Sequence, residues 1–325
     1  MKKVTFMIGA LSFALVACVS CKKNAENGVA FQGSTTEFKI EEEGEKAYID
    51  INNIIYFETG DIVKLFNISK TPAESKCADY SATSTGTNVQ FNAVGQMPAT
   101  SMGAFYGFFP GANVTEDLSN ENRATFRLNA VQDYYEVNGV PSFSKNDMYM
   151  ASNVNGINNI NDAHFAFQNI CGILRLKYYD TGGWTIRNII VEDKHFNLSG
   201  DVNLKVDQVT TDGLISLCQS YNPANPASTA QAISDYKEQI GYNVSNAGNT
   251  ITLDFGENGY RLSSSASDPS TFYIVLRPLA LAHGYKVIVT DMNNNKYTVV
   301  DSNTNKKMEP NTIKGNAAKD LKSYH

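Results

Sequence analysis

The sequence predicts an all-β protein, and three observations support that fold class. Several segments alternate apolar and polar residues with a period of two, as half-buried strands do. Tyr and Phe number 17 each against a single Trp, and aromatic residues are enriched in strands. Only one segment, residues 228–240, places apolar side chains along one helical face. At 325 residues the chain is long enough for two domains.

The strands are predicted from their alternation. Residues 251–255 place Ile251, Leu253 and Phe255 on one face, and residues 125–130 place Phe126, Leu128 and Ala130 inward. More continuous apolar runs predict central strands at residues 271–277 and 285–290. A polar turn at residues 291–295 joins the second of these runs to residues 296–300, which predicts a hairpin.

A change of phase indicates where the two halves meet. Phe165 and Phe167 share one alternation phase, whereas Leu174, Leu176 and Tyr178 share the other. The strand must therefore bulge or break between residues 169 and 172. Together with the Asn-rich residues 153–162, this change predicts domains at residues 29–160 and 161–325, each a β-sandwich. The helical segment 228–240, with Ser228 as N-cap, is predicted to be a short insertion in the second.

The N-terminus predicts export. Lys2 and Lys3 precede an apolar run over residues 4–17, which has the length of a signal peptide and is short for a membrane span. Residues 15–18 (LVAC) resemble the bacterial lipobox, which implies that Cys18 carries a diacylglycerol. Cys21 is the second choice, and an ordinary secretory leader is the alternative. Residues 1–17 are thus a predicted lipoprotein signal peptide, and polar residues 18–28 a tether.

Charge and motifs argue against several functions. The net charge of −6 argues against nucleic acid as a partner. The four histidines, His164, His195, His283 and His325, have no zinc-ligand spacing, and there is no nucleophile or phosphate-loop motif. No catalytic, cofactor-binding or metal-binding residue is predicted, and we do not expect an enzyme. His325, as the last residue, is expected to be disordered.

The three cysteines beyond the N-terminal segment do not predict a disulfide framework. Cys77, Cys171 and Cys218 are three in number, so at least one of them stays unpaired. Cys171 lies in an apolar run, which favours a buried thiol that packs as a small hydrophobe. A disulfide between Cys77 and Cys218 is an open alternative.

A series of short segments, in order along the chain, resembles the Bacteroidales fimbrillins, the subunits and accessory proteins of type V pili. The segments are residues 29–34 (VAFQGS), 57–63 (FETGDIV), 104–110 (AFYGFFP), 147–152 (DMYMAS), 165–167 (FAF) with 171–176 (CGILRL), 198–200 (LSG) and 308–313 (MEPNTI). The family pattern has a basic residue or histidine where Gln168 stands here. The resemblance implies two tandem transthyretin-like, Greek-key β-sandwiches in an outer-membrane lipoprotein that functions in assembly and adhesion.

The resemblance also implies a mechanism of assembly. In polymerising members a trypsin-like protease removes the first strand, and a strand from a neighbouring subunit fills the open groove by β-augmentation. The first arginine here is Arg123, so processing would have to follow Lys46 or, as second choice, Lys39. Residues 29–40 are the predicted leaving or retained strand, and residues 297–313 a candidate donor. An anchor or tip subunit that keeps its first strand is the alternative to a shaft subunit.

A second interpretation is a surface lipoprotein that binds glycans or host ligands, including a pilus-tip adhesin. Exposed aromatic rings stack on sugars, and the candidates are Tyr134, Tyr135, Tyr178, Tyr179 and Trp184. Each of them can equally be a strand residue that packs on a core.

Overall fold

The structure is a computed structural model that describes residues 30–37, 39–41, 55–67, 77–95, 101–117, 123–137, 139–206, 243–304 and 306–325. These residues are almost entirely β, and no α-helix occurs among them, which confirms the all-β prediction. Within the described residues no helix is long and apolar enough to cross a membrane. The predicted signal peptide and tether, and the helix predicted at residues 228–240, lie outside the described residues.

Seven strands form a closed barrel in the order β1-β13-β12-β6-β3-β4-β5. Their bounds are β1 Ala30–Thr35, β3 Ile62–Asn67, β4 Cys77–Ala82, β5 Asn88–Val94, β6 Ser101–Phe109, β12 Met150–Asn159 and β13 His164–Asn169. Alternate side chains of these strands point inward and fill the barrel with aromatic rings, among them Phe91, Phe165 and Phe167. Phe57, from the segment before β3, joins them. The interior is therefore a packed core.

Two further sheets enclose a second core. One has the order β2-β23-β14-β20 with β24 beside β14, and the other has the order β22-β21-β15-β18-β9 with β19 beside β15. Their bounds are β2 Lys39–Glu41, β9 Val131–Asp133, β14 Gly172–Tyr179, β15 Thr185–Asp193, β18 Thr250–Asp254, β19 Tyr260–Arg261, β20 Ser270–Leu276, β21 Tyr285–Asp291, β22 Lys296–Ser302, β23 Thr312–Gly315 and β24 Lys319–Asp320. Inward residues of both sheets, such as Leu176, Phe272, Val191 and Val287, form one buried cluster.

The remaining strands form a four-stranded sheet, which connects the two halves of the chain, and a separate hairpin. The sheet has the order β17-β16-β8-β7 and the hairpin pairs β10 with β11. The bounds are β7 Thr115–Asp117, β8 Arg123–Leu128, β10 Tyr135–Val137, β11 Val140–Ser142, β16 Ser199–Lys205 and β17 Asn243–Gly248. Because β8 pairs with β16 and β9 with β18, strands from before residue 160 join sheets from after it. The division at residues 160 and 161 stays a prediction.

The predicted phase change has a physical cause. β13 ends at Asn169 in the barrel and β14 begins at Gly172 in the second sheet, so one run of chain moves from one core to the other. The Asn169 side chain accepts a hydrogen bond from Cys171 N at 2.9 Å, which fixes the break. A Cβ on Gly172 would lie 2.8 Å from Glu309 O, so this position has no room for a side chain.

Most of the strand predictions are confirmed. Strands β18, β20 and β21 coincide with the predicted ones, and β21 and β22 pair as the predicted hairpin. One inward residue was predicted wrongly, because Ala130 is exposed. β8 ends at Leu128, so Ala130 lies beyond the strand and no longer follows its alternation.

A buried amide connects the two halves. Gln132 in β9 donates from Nε2 to Val275 O at 2.8 Å and accepts from Val275 N at 3.0 Å through Oε1. β20 is the last strand of its sheet, so this side chain satisfies main-chain groups that an edge strand leaves unpaired. Gln132 and Val275 are both buried, so water does not replace these bonds.

We predict that Gln132→Leu lowers the free energy of unfolding by roughly 2–6 kcal/mol. The substitution leaves the buried N–H and C=O of Val275 without partners, and each unsatisfied group costs about 1–3 kcal/mol. Urea unfolding followed by circular dichroism measures the change. Gln90→Leu is the matched control, because Gln90 is exposed on β5, and it should change stability by less than about 0.5 kcal/mol. Equal effects of the two substitutions would contradict the role of Gln132.

Candidate functional site: the first strand of the barrel

The first described strand closes the barrel. β1 pairs antiparallel with β5 and parallel with β13, so it is the one strand that joins these two edges. Gln32 N donates to Ala163 O at 3.1 Å, and Thr35 N donates to Thr87 O at 3.0 Å. Ladders on both sides therefore hold β1 by its main chain.

One large side chain anchors β1 in the core. The ring of Phe31 lies 4.7 Å from that of Phe165, 4.9 Å from that of Tyr80 and 5.1 Å from that of Phe91, measured between centroids. Phe31 is 1% exposed, and burial of a phenyl ring contributes about 2–3 kcal/mol. Further along the strand, the Thr35 hydroxyl donates to Ile55 O at 2.8 Å. Side-chain pockets thus set the register of β1.

The chain continues from the barrel into the second sheet. β2 pairs in parallel with β23, with Lys39 opposite Thr312. Asn311 Nδ2 donates to Glu37 O at 2.9 Å, between β1 and β2. The backbone of Lys39, one of the two predicted processing residues, therefore lies within a ladder. Lys46 and the predicted lipidation residue Cys18 lie outside the described residues.

The structure tests the prediction for Cys171 but not the alternative disulfide between Cys77 and Cys218. Cys171 is a buried thiol, as predicted, and burial raises its pKa to about 12. Such a thiol is unreactive at neutral pH because the thiolate is the nucleophile. The alternative pairing of Cys77 with Cys218 lies outside the described residues, because Cys218 does.

The aromatic residues proposed to bind glycans differ in exposure. Tyr178 is 1% exposed in the second core and is unavailable to a ligand. Tyr134 packs on the rings of Phe255, Tyr260 and Phe272, and its hydroxyl donates to Glu136 at 2.5 Å. Trp184 and Tyr179 are half-buried, and His325 stacks on Trp184 at 4.2 Å. Only Tyr135, at 47% exposure, presents a free ring.

Tyr135 borders a small cavity that the sequence does not indicate. The cavity, of about 230 Å³, lies between Ile55, Tyr135, Phe143 and Met148, with the half-exposed ring of Tyr56 beside it. Lys145 on its wall contacts Glu58 at 2.5 Å and Asp61 at 2.9 Å. Sequence reasoning missed Tyr56 and Lys145 because only the fold brings them and Tyr135 to one cavity.

The Asp291 carboxylate holds the turn between β21 and β22. Asp291 accepts hydrogen bonds from Asn293 N, Asn295 N, the Asn295 amide and the Tyr297 hydroxyl. Burial raises the pKa of Asp291, but these bonds outweigh burial and lower it. The described residues hold no group of three His, Cys, Asp or Glu side chains that could ligate a metal.

His325 is ordered, contrary to the expectation for a terminal residue. Its Nε2 lies 2.6 Å from Oδ2 of the buried Asp180, and Gly182 N donates to Oδ1 at 2.7 Å. The stack on Trp184 fixes the other side of the ring. The C-terminal segment is thus held against the second core.

The fold of this chain is similar to that of a solved protein from Bacteroides. No protein-family model and no curated protein matches the chain. A candidate cell adhesion protein from Bacteroides ovatus ATCC 8483 is 13% identical, with a TM-score of 0.52 over 90% of this chain and 92% of that one. A candidate cell adhesion protein from Bacteroides uniformis ATCC 8492 is 13% identical, with a TM-score of 0.49 over 91% and 94%. At this identity the first similarity shows a shared fold.

A fimbrial protein from Bacteroides ovatus ATCC 8483 also matches. It is 12% identical, with a TM-score of 0.40, and the match covers 91% of this chain and 50% of that one.

We predict that Asp180 stabilises the fold at neutral pH and loses this effect in acid. Burial raises the pKa of Asp180, but the hydrogen bonds from His325 and Gly182 N outweigh burial and lower it. A carboxyl group with a lowered pKa stabilises the folded state above its unfolded pKa of about 3.9, and the effect is lost as the pH falls through the folded value.

The test compares urea unfolding at pH 5, 4, 3 and 2. The native chain should lose more free energy of unfolding over this range than Asp180→Asn, which has no carboxyl group to titrate. Asp268→Asn, at an exposed position, is the control and should follow the native chain. Parallel pH profiles for the native chain and Asp180→Asn would refute the prediction.

Proposed function

We propose that this chain is a non-enzymatic fimbrial subunit or accessory protein of the bacterial surface, which assembles by strand exchange at the position of β1. The observation that carries the proposal is the place of β1. It comes from the N-terminal part of the chain, and it closes the barrel between β5 and β13. The fold shared with a candidate cell adhesion protein supports an adhesive role.

The exchange has a physical driving force. Loss of β1 would leave unpaired N–H and C=O groups along β5 and β13 and would uncover rings such as Phe91 and Phe165. Exposed edges and apolar surface favour pairing with another extended strand. A strand from a neighbouring subunit would restore both the ladder and the core, as in β-augmentation.

The domain type, the domain division and the membrane anchor in this proposal rest on the sequence. We propose two tandem transthyretin-like sandwiches, divided near residue 160, and export as an outer-membrane lipoprotein with its lipid on Cys18. The closed barrel and the two facing sheets are compatible with paired β-domains. The donor proposed at residues 297–313 includes most of β22, which pairs with β21, and part of β23, which lies between β2 and β14. Donation would therefore require both strands to unpair.

Of the two processing residues, Lys46 is the better candidate. A protease needs an extended segment that is free of other main-chain pairing, and Lys39 lies in the ladder of β2 with β23. Cleavage after Lys46 would release β1 and β2 together, whereas cleavage after Lys39 would divide β2. An anchor or tip subunit would keep both strands and its lipid.

We predict that Lys46→Gln abolishes trimming and multimers in the native host, whereas Lys39→Gln leaves both unchanged. The measurements are a Western blot of unboiled outer-membrane extract and the intact mass of the extracted protein. A ladder with the mass of a chain that begins at residue 47 supports a shaft subunit. A single band with the mass of a chain lipidated at Cys18, in the native strain, overturns the shaft role and leaves an anchor or tip.

A second candidate function is glycan binding. The exposed rings of Tyr56 and Tyr135 beside the cavity favour it, because aromatic faces stack on sugars and nearby charged groups accept or donate hydrogen bonds. This function is compatible with a pilus tip.

We predict that any saturable glycan binding depends on Tyr135 more than on Trp184. A carbohydrate array with the soluble ectodomain measures binding, and Tyr135→Ala should weaken it at least about 10-fold, in line with the loss of an aromatic stacking contact of about 1.4 kcal/mol. Trp184→Ala serves as the comparison because His325 covers that ring. Binding that is lost only with Trp184→Ala would exclude the cavity as the site.

A further inference from the structure

A glycine in β1 sits where no side chain fits. Phe31 and Gly33 lie two residues apart on the face of β1 that is turned to the inside of the barrel. A Cβ on Gly33 would lie 2.6 Å from Cε2 of Phe91, 3.1 Å from its Cδ2 and 3.3 Å from Cε2 of Phe167. The first of these distances is shorter than any ordinary carbon contact, so a side chain here requires a ring to move.

Phe91 has little freedom to move. It is fully buried, its ring stacks on Phe31 at 5.1 Å, and it meets Phe57 edge-on at 5.0 Å. A shift of this ring would push on its neighbours, because protein cores are close-packed. The cost of overpacking a core is typically about 1–3 kcal/mol. The main chain of Gly33 has an ordinary strand conformation, so the restriction is steric.

A second glycine faces the same rings. A Cβ on Gly107 of β6 would lie 3.0 Å from Cε1 and from Cζ of Phe167. The rings of Phe167 and Phe91 thus occupy the volume that side chains would otherwise take on two strands. We call the space between β5 and β13 that β1 occupies the groove. The groove has room for a large side chain at position 31, whereas the rings of Phe91 and Phe167 fill the space beside position 33.

We propose that this groove selects its strand by a glycine: it accepts a strand that carries a large apolar residue and, two residues later, glycine, and it excludes strands with any side chain at that second position. The inference rests on the proposed strand exchange, and it defines the partner. The donor is an extended segment of another subunit with this spacing, paired antiparallel to β5 and parallel to β13.

The requirement for glycine predicts a longer donor segment than residues 297–313. Residues 297–313 contain no glycine, so this segment by itself does not satisfy the rule. The spacing occurs just beyond, where Ile313 is followed by Gly315. A donor from a second copy of this chain would therefore have to extend through Gly315.

The first test uses the full chain and does not depend on exchange. Gly33→Ala and Gly33→Val should lower the thermal midpoint, with Val lowering it more, by at least about 4 °C. Gln32→Ala and Gln32→Val are the matched controls, because Gln32 is the exposed neighbour on the outer face, and they should shift it by less than about 2 °C. Valine favours strands, so a loss confined to position 33 reflects the contact with Phe91. An unchanged midpoint for Gly33→Val overturns the proposal.

The second test measures selection. A protease recognition sequence inserted between Glu43 and Gly44 allows the folded full chain to be nicked while β1 stays bound. Fluorescent peptides of residues 29–40 are then added, and native mass spectrometry with fluorescence anisotropy follows their entry. The native and Gln32→Val peptides should enter equally, whereas the Gly33→Val peptide and a peptide of residues 297–313 should enter at least about 10-fold less.

The outcomes separate the two proposals. Equal entry of the Gly33→Val peptide overturns the glycine rule and leaves strand exchange intact. Failure of the native peptide to enter, with the midpoint still lowered by Gly33→Val, overturns strand exchange and confirms the steric restriction at position 33. Entry of the peptide of residues 297–313 also overturns the rule.

Discussion

The structure depends on a close-packed group of aromatic rings inside the barrel. Phe57 meets Phe91, Phe109 and Phe167 edge-on at 5.0, 5.2 and 5.7 Å, and Phe31 completes the group from β1. Offset and edge-on contacts between rings add to the gain from burial. Because these rings fill the barrel, Gly33 of β1 and Gly107 of β6 lie where a side chain would meet a ring. The proposed function of β1 and its selectivity both follow from this packing.

A second constraint is the crossing of the chain between its two cores. The segment with β1 and β2 and the segment with β13 and β14 each run from the barrel into the second sheet. β1 pairs in parallel with β13, and β2 with β23, which in turn pairs in parallel with β14. Removal of the first segment would therefore uncover an edge in both halves of the molecule, and the proposed strand exchange depends on these edges.

Buried polar side chains hold the connections between these strands. Asp193 accepts hydrogen bonds from the N–H groups of His195, Phe196 and Leu281 and so joins two loops. Asn169 fixes the break between β13 and β14, and Gln132 covers the edge of β20. In each case a buried side-chain oxygen accepts from main-chain N–H groups that would otherwise be unpaired. The hydrogen bonds that these side chains make to the main chain explain why polar residues occupy buried positions.

The sequence by itself determined the fold class, several strands, the hairpin of β21 and β22, and the phase change at residues 169–172, because alternation is a local property of the chain. It also contains the Phe31 and Gly33 pattern. Only the tertiary structure decided that β1 lies between β5 and β13, that Phe91 blocks position 33, and that Tyr178 is buried while Tyr56 and Tyr135 meet at one cavity. The physical reason is that alternation tells which side chains share a face, whereas the partner strand depends on packing between residues far apart in the chain. Ala130 illustrates the same limit, because a strand's end is set by its neighbours.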